Sequence, residues 1–171
     1  MNGTGDRTPS GLWINPAVGV AGDMLLAALV DLGASLDAVR AAVGSLGIDG
    51  WTLDAGGTTR RGLTATSVTV HAEDGQRHRP WSAIDARLAD ADLPAAISRG
   101  ARRTFELLAR AEAAVHGVEM DQVHFHEVGA IDALVDIVGT WAAWSDLGEP
   151  DVSAGPVGLG VGTVAMAHGT V

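Results

Sequence analysis

Several segments of the sequence have apolar residues at helical spacing, and each of these segments is followed by a glycine. This pairing of a helical pattern with a glycine at its end is the feature that most constrains the fold. Glycine is favoured just beyond a helix because it adopts the left-handed conformation that ends the hydrogen-bond ladder. The sequence predicts four such helices, at Asp23 to Leu32, Leu36 to Leu46, Pro94 to about His116, and Ala130 to Leu147, followed by Gly33, Gly47, Gly117 and Gly148. A shorter helix capped by Ser82 is also predicted.

Strand-like segments lie between and around these helices. Leu12 to Ile14 predicts a short buried strand, and residues 51–58 and 64–70 predict a β-hairpin turning at 60–62. The order of elements favours an α/β fold with helices packed on a mixed sheet, with an α+β arrangement as the alternative. The expected organisation is a disordered leader at 1–10, a single domain at 11–150 and a glycine-rich tail at 151–171 that leads toward a C-terminal part.

Composition narrows the class of protein. The apolar residues include 29 alanines and seven aromatics, which predicts closely packed alanine-rich helices. Eleven arginines against 21 acidic residues give a net charge of −10, which disfavours nucleic acid and anionic membranes as partners and leaves cations open. The absence of cysteine excludes thiolate metal sites and cysteine nucleophiles. No apolar run or leader peptide suggests export, so we expect a cytoplasmic protein.

A His-x-His motif is the densest candidate for chemistry. If the segment is extended, His124 and His126 point to the same side and could chelate one divalent metal. Asp132 and Asp136 follow one turn apart on the next helix, and this donor set suits Ni, Zn, Mn or Fe. The same residues also fit a strand-to-helix junction with solvated imidazoles, and the spacing alone favours that interpretation.

Glycines suggest two further sites. Gly22 and Asp23 follow a predicted strand and open a helix, where backbone N–H groups can bind an anion and Asp23 could hold a metal attached to it. The alternative is a tight strand-to-helix turn.

In the tail, glycines recur at every second residue, which permits close approach by a ligand or by another backbone. These glycines are Gly158, Gly160 and Gly162. His168 would supply a third imidazole if the tail folds back. The alternative is a glycine-rich crossover.

Three stretches together resemble the LarC family of nickel insertion proteins, in the right order over residues 12–171. They are residues 15–29, residues 115–117 with 123–139, and residues 158–162 with 168–169. The second stretch, which contains His-Phe-His-Glu-Val-Gly-Ala-Ile-Asp, is the most distinctive.

The resemblance implies insertion of Ni²⁺ into pyridinium-3,5-bisthiocarboxylic acid mononucleotide, which completes the nickel-pincer nucleotide cofactor of lactate racemase. The resemblance also implies that the reaction consumes CTP and uses Mg²⁺ or Mn²⁺ as the accompanying divalent cation. Carried onto this sequence, the expected metal ligands are His124, His126, Asp132, Asp136 and, more weakly, His168. Asp23 and Glu127 are the expected catalytic residues. The glycines Gly22, Gly158, Gly160 and Gly162 are expected at the cofactor or substrate.

Two departures from the family pattern accompany the resemblance. Asn15 and Pro16 stand where members often have Asp-Cys, and residues 76–80 replace a histidine-rich tract. Family members are also longer, so the CTP site is expected in a C-terminal part acting as a partner of this chain, and homo-oligomerisation is left open. The alternative function is a non-catalytic nickel-binding module or chaperone. A metal-dependent hydrolase is a weaker third hypothesis.

Overall fold

A computed structural model describes residues 9–72, 79–125, 131–160, 162–163, 165–166 and 169–170. The helices are α1 (Gly22–Asp31), α2 (Leu36–Gly44), α3 (Trp81–Asp90), α4 (Ala95–His116) and α5 (Ile131–Asp146), with a 3-10 turn at Met120–Gln122. The strands are β1 (Gly11–Ile14), β2 (Trp51–Arg60), β3 (Leu63–Ala72), β4 (Arg79–Pro80), β5 (His124–Phe125), β6 (Asp151–Ala154), β7 (Ala165–Met166) and β8 (Gly169–Thr170).

The mixed α/β class predicted from the sequence is confirmed. In the described residues the strands form four two-stranded sheets: β1 with β6 is parallel, whereas β2–β3, β4–β5 and β7–β8 are antiparallel. The chain divides into two compact units, one spanning 22–149 and the other formed by the residues up to 21 and from 150 onward. None of the helices that the structure describes is long and apolar enough to cross a membrane.

Helix α5 is central to the larger unit, where it packs against α1, α2 and α4. The apolar spacing of α5 predicts an inward-facing stripe, and the structure confirms it because all five residues are buried: Ile131, Leu134, Val135, Val138 and Ala142. Gly139 brings the helices close together, since a Cβ there would lie 3.0 Å from Val39 Cγ1 and 3.2 Å from Leu26 Cδ2.

The predicted stripe of α1 is wrong. We expect Met24, Leu25, Ala28, Leu29 and Leu32 to face inward from the helical spacing, but Met24 is 54% and Leu32 56% exposed. The buried residues are Leu26, Ala27 and Leu29. The close contact with Gly139 of α5 turns Leu26 inward, and the apolar spacing of α1 alone does not define that direction.

The hairpin is confirmed, and its turn has a definite backbone chemistry. Arg60 pairs with Leu63, so Arg61 and Gly62 form a two-residue turn. Both have positive φ, 49° and 83°, which matches the right-handed twist of the adjoining strands. The sequence places glycine at one of these two positions and a less suited arginine at the other.

Helices α3 and α4 begin beside prolines. Ser82 is not the cap of α3: the helix starts at Trp81, and Pro80 occupies the N-cap position without a side-chain hydrogen bond. Pro94 precedes α4, which ends as predicted at Gly117 in the left-handed conformation, with φ of 64°. Phe105 of α4 is fully buried and packs against Phe125 of β5, with ring centroids 6.2 Å apart.

The smaller unit contains the parallel β1–β6 ladder. The prediction of a buried strand at residues 12–14 is wrong, because Trp13 is 68% exposed. A two-stranded ladder has no second layer of its own to cover such a side chain, so exposure alternates along β1 but none of its residues is fully buried.

Candidate functional site

The N-terminus of α1 meets α5 at Asp136. A Cβ built on Gly22 would lie 2.7 Å from Asp136 Oδ2 and 2.8 Å from Asp136 Cβ. Any larger residue at position 22 would therefore push the two helices apart. The backbone N–H of Asp23 donates a hydrogen bond to the Asp136 carboxylate. A glycine is thus required at position 22, because the start of α1 lies too close to the Asp136 side chain of α5 for a Cβ to fit.

Asp136 is an unusual carboxylate. It is half-buried, and its Oδ1 atom is buried without a hydrogen-bond partner in the described part of the chain. Burial, followed by the charges of Asp23 and Asp132, raises the pKa of Asp136 to about 6, which outweighs the lowering by the Asp23 N–H. A carboxylate in this setting binds a proton near pH 6, and it favours a cation for the same electrostatic reason.

Asp23 and Asp132 occupy equivalent positions in the first turns of α1 and α5. Each carboxylate accepts the N–H of the following residue: Asp23 Oδ1 from Met24 at 2.8 Å and Asp132 Oδ1 from Ala133 at 2.8 Å. A carboxylate is favourable at a helix start because of the helix dipole. Both side chains are exposed, so each retains acceptor capacity for a ligand. We call Asp23, Asp132 and Asp136 the aspartate cluster.

His124 lies on β5, away from the buried face. The strand pairs with β4, with Pro80 opposite His124 and Arg79 opposite Phe125. Phe125 is fully buried against α4, whereas His124 is exposed on the opposite side of the strand. The alternation predicted for this segment therefore holds at these two residues, and it leaves the imidazole accessible.

Several predicted site residues fall outside the described residues: His126, Glu127 and His168. These residues remain predictions as ligands or catalytic groups. Among the residues that the structure does describe, no three His, Asp or Glu side chains are arranged to hold a metal ion. The structure brings together Asp23, Asp132 and Asp136 electrostatically, and it does not join His124 to them.

The tail glycines have separate environments in the smaller unit. Gly158 lies directly against the Ala17 carbonyl, where a Cβ would collide, and its N–H donates to Pro16 O at 2.8 Å. Nothing in the described chain lies within 4 Å of a Cβ at Gly160 or Gly162. The alternation of glycines thus includes one position fixed by another backbone and two that leave open space.

Sequence reasoning missed the junction between Gly22 and Asp136. It placed each residue in a candidate site but gave no reason to join them, because 113 intervening residues separate the two positions. The available signal is indirect. Gly22 and Gly139 are glycines inside or at the start of helices, where glycine is unfavourable unless a neighbour requires close approach.

The fold and cluster define a class: an α/β protein that presents carboxylates and an exposed imidazole, donors suited to a divalent transition metal. The comparisons are more specific. The family model described as "Nickel insertion protein" matches residues 12–171, nearly the whole chain. The chain belongs to the nickel insertion protein family.

Curated relatives agree with this assignment. The chain is 48% identical over 151 residues to a putative nickel insertion protein of Roseiflexus castenholzii, covering 88% of this chain and 38% of the relative. It is 44% identical over 157 residues to the pyridinium-3,5-bisthiocarboxylic acid mononucleotide nickel insertion protein of Nocardioides sp., covering 92% and 40%. The protein of the same name from Staphylococcus saprophyticus is 38% identical over 160 residues, covering 94% and 41%.

The chain therefore spans about 40% of the length of these curated relatives. No solved structure matches it significantly.

Proposed function

We propose that this chain binds and delivers Ni²⁺ in the insertion of nickel into pyridinium-3,5-bisthiocarboxylic acid mononucleotide. The observation that carries the proposal is the Asp136 carboxylate. Its buried oxygen lacks a partner in the described chain, and two further carboxylates act on it. A divalent cation would relieve the mutual repulsion of the aspartate cluster.

The remaining ligands would come from the His-x-His segment. His124 is exposed on β5, and His126 and Glu127 follow it in sequence before α5 begins. Imidazole and carboxylate together suit Ni²⁺ and hold it through nitrogen and oxygen. Such ligands are exchangeable for the softer sulfur atoms of a thiocarboxylate substrate, which is the direction that delivery requires.

Metal insertion also releases a proton. Nickel held by carbon and sulfur of the organic ligand replaces a hydrogen on that carbon, so a base must accept the proton as the Ni–C bond forms. We assign this role to Asp23 or Glu127, with Gly22 providing close approach at the start of α1. The glycines Gly158, Gly160 and Gly162, and His168, are proposed to contact the nucleotide or metal from the tail.

The CTP requirement belongs to the whole protein. Because this chain spans about 40% of its relatives, we propose that CTP with Mg²⁺ or Mn²⁺ binds a C-terminal part that acts with it. The completed product would be the nickel-pincer nucleotide cofactor of lactate racemase. We also propose that the protein acts in the cytoplasm.

An insertion assay tests the proposal. Purified chain, Ni²⁺, the pyridinium mononucleotide, CTP and Mg²⁺ or Mn²⁺ are combined with and without the C-terminal part of the Nocardioides relative. Nickel-loaded product is measured by mass spectrometry. We expect product when that part is supplied, and its loss in Asp136→Ala. The matched control is Asp49→Ala, which removes an exposed aspartate in the loop after α2.

The alternative is a nickel-binding module without chemistry, which the 40% coverage of the relatives also accommodates. It predicts stoichiometric nickel binding with no product in either arm. Product formation that is unaffected by Asp136→Ala would contradict the role of the aspartate cluster, even if insertion itself occurs.

A further inference from the structure

An open groove lies between α3, α4 and the 3-10 turn, within the larger unit. Its volume is about 480 Å³, and its walls include Trp81 of α3 and Met120 of the turn. Sites for small molecules commonly enclose about 300 to 1,000 Å³, so the groove has the size of a mononucleotide-class ligand. Three arginines also line it: Arg99, Arg102 and Arg103. We call this feature the arginine groove.

Positive charge is concentrated here in an otherwise acidic protein. The chain has a net charge of −10 and eleven arginines, and four of those arginines lie between residues 99 and 110 of α4. Their spacing places them on neighbouring turns of one helix. All four are exposed. Three of these arginines line the groove together with Asp85 and Glu106, so three positive and two negative groups give its lining a net charge of +1 in a chain that is acidic overall.

The carboxylates of the groove position these arginines without neutralising all of them. Asp85 accepts two hydrogen bonds from Arg102, at 2.7 Å and 3.0 Å, which fixes the guanidinium plane. Glu106 accepts one bond from Arg103 at 2.8 Å and is shared with Arg110 at 2.6 Å. Two arginines thus share a single carboxylate.

Arg99 has no hydrogen-bond or ion-pair partner elsewhere in the described chain, and Arg103 uses only one of its N–H donors there. Glu119 and Asp121 flank Met120 but are not among the lining residues. The groove therefore offers the guanidinium of Arg99 and the remaining N–H donors of Arg103 to an anion. Guanidinium groups bind phosphate oxygens in a two-pronged geometry, and they are not metal ligands.

We propose that the arginine groove binds the phosphate group of a pyridinium mononucleotide. The identity of the nucleotide rests on the function proposed above, whereas the phosphate preference rests on the groove itself. Trp81 and Met120 supply polarisable walls beside the arginines, which suit a flat cationic ring.

The groove is also connected to the segment that carries His124 through the backbone of Trp81, one of its lining residues. Trp81 directly follows Pro80, the register partner of His124, and its N–H donates to Val123 O at 3.0 Å. A phosphate held by α4 would therefore tether the nucleotide to the same substructure as a candidate nickel ligand. This arrangement would separate nucleotide holding from metal delivery.

Calorimetric titration with nicotinic acid mononucleotide tests the proposal, with nicotinic acid riboside as the ligand that lacks phosphate. We expect the riboside to bind at least tenfold more weakly. Arg99→Gln/Arg103→Gln should weaken mononucleotide binding at least tenfold. The matched control, Arg60→Gln/Arg61→Gln, removes the same charge at the exposed hairpin turn and should leave affinity within twofold. Circular dichroism verifies that each variant is folded.

Three results would overturn the proposal: affinity retained in Arg99→Gln/Arg103→Gln, an equal loss in the hairpin control, or groove-dependent binding of CTP that is tighter than that of the mononucleotide. A parallel Ni²⁺ titration separates this proposal from the proposed function. Nickel binding without mononucleotide binding would refute the groove alone. Groove-dependent mononucleotide binding without nickel binding would support the groove and refute nickel delivery.

Discussion

The environment of Asp136 disfavours its ionised form in the folded protein and favours the binding of a cation. Its buried oxygen lacks a partner in the described chain, and Asp23 and Asp132 add negative charge around it. Such a group costs stability when it is ionised, because charge is removed from water without full compensation. A cation that binds the ionised form would offset this cost.

The pH dependence of stability tests this residue directly. The pKa of Asp136 rises from 3.8 to about 6 on folding, so protonation favours the native state. Its stabilising effect is complete below pH 3.8 and is lost as pH rises through 6. Asp136→Asn should raise the free energy of unfolding at pH 7 by about 1 kcal/mol, allowing for solvent screening, and should reduce the slope between those pH values. Urea unfolding across pH measures both.

Asp49→Asn is the control for this experiment, because it removes an exposed aspartate outside the cluster. It should leave the slope unchanged. A variant Asp136→Asn that is less stable than wild type at pH 7, in metal-free buffer, would refute the electrostatic account.

The close approach at Gly22 gives a second test. Gly22→Ala introduces a Cβ that would lie 2.8 Å from the Cβ of Asp136. Because the Asp136 Cβ is attached directly to the backbone, α1 and α5 must shift. We expect destabilisation of about 1 to 3 kcal/mol by thermal or urea unfolding. Gly44→Ala, also in a helix, meets nothing within 4 Å and should be neutral or stabilise by up to about 1 kcal/mol. Equal effects of the two substitutions would disprove the contact.

Among the elements, α4 contributes both to the packing beneath His124 and to the arginine groove. One face carries Phe105, which packs on Phe125 beneath the strand of His124, and another carries the arginines of the groove. A single helix therefore supports the position of an imidazole and presents guanidinium groups for an anion.

Removing the Phe105 ring should disturb this support. Phe105→Ala creates a cavity against Phe125 and is expected to cost about 3 to 5 kcal/mol of folding free energy. Leu107→Ala, on an exposed position of the same helix, should cost less than about 1 kcal/mol. Unfolding curves measure both, and NMR of the His124 imidazole should show a shifted or broadened signal only in the first variant. A native-like His124 signal in Phe105→Ala would refute the support role.

Some helix ends are predictable from the sequence because they depend on local chemistry, whereas the predicted Ser82 cap of α3 is wrong. Ser35, a favourable N-cap residue, caps α2 by accepting the Ala38 N–H at 3.3 Å, and Gly117 ends α4 in the left-handed conformation. The inward stripe of α5 was also predictable, because that helix has contacts on several sides. The face of α1 was not, since Gly139 of a distant helix determines it.

The candidate sites likewise have some features that the sequence predicts and others that depend on packing between distant elements. Sequence placed Asp132 and Asp136 on one flank of a helix, but their approach to Gly22 depends on packing across the unit. The arginine groove was equally hidden. Helical spacing predicts that Arg102, Arg103 and Arg110 of α4 point outward, but it does not predict that Asp85 of α3 pairs with Arg102.

At the scale of the whole molecule, two binding chemistries occupy one small acidic chain. We propose a cation site at the aspartate cluster and an anion site at the arginine groove, both within the same unit. In a nickel insertion protein, that combination would bring Ni²⁺ and a phosphorylated organic ligand to one body. The chain covers about 40% of the length of its relatives, so the activity of the whole protein extends beyond the sites described in this chain.

The most direct test of the central claim is a Ni²⁺ titration of the metal-stripped, tag-free chain, followed by calorimetry. We predict stoichiometric binding that weakens at least tenfold in Asp136→Ala and in His124→Ala. It should remain unchanged in His71→Ala, which removes an exposed histidine of the hairpin. Folded variants that all bind nickel as wild type does, or a wild-type chain that binds none, would contradict nickel delivery by this chain.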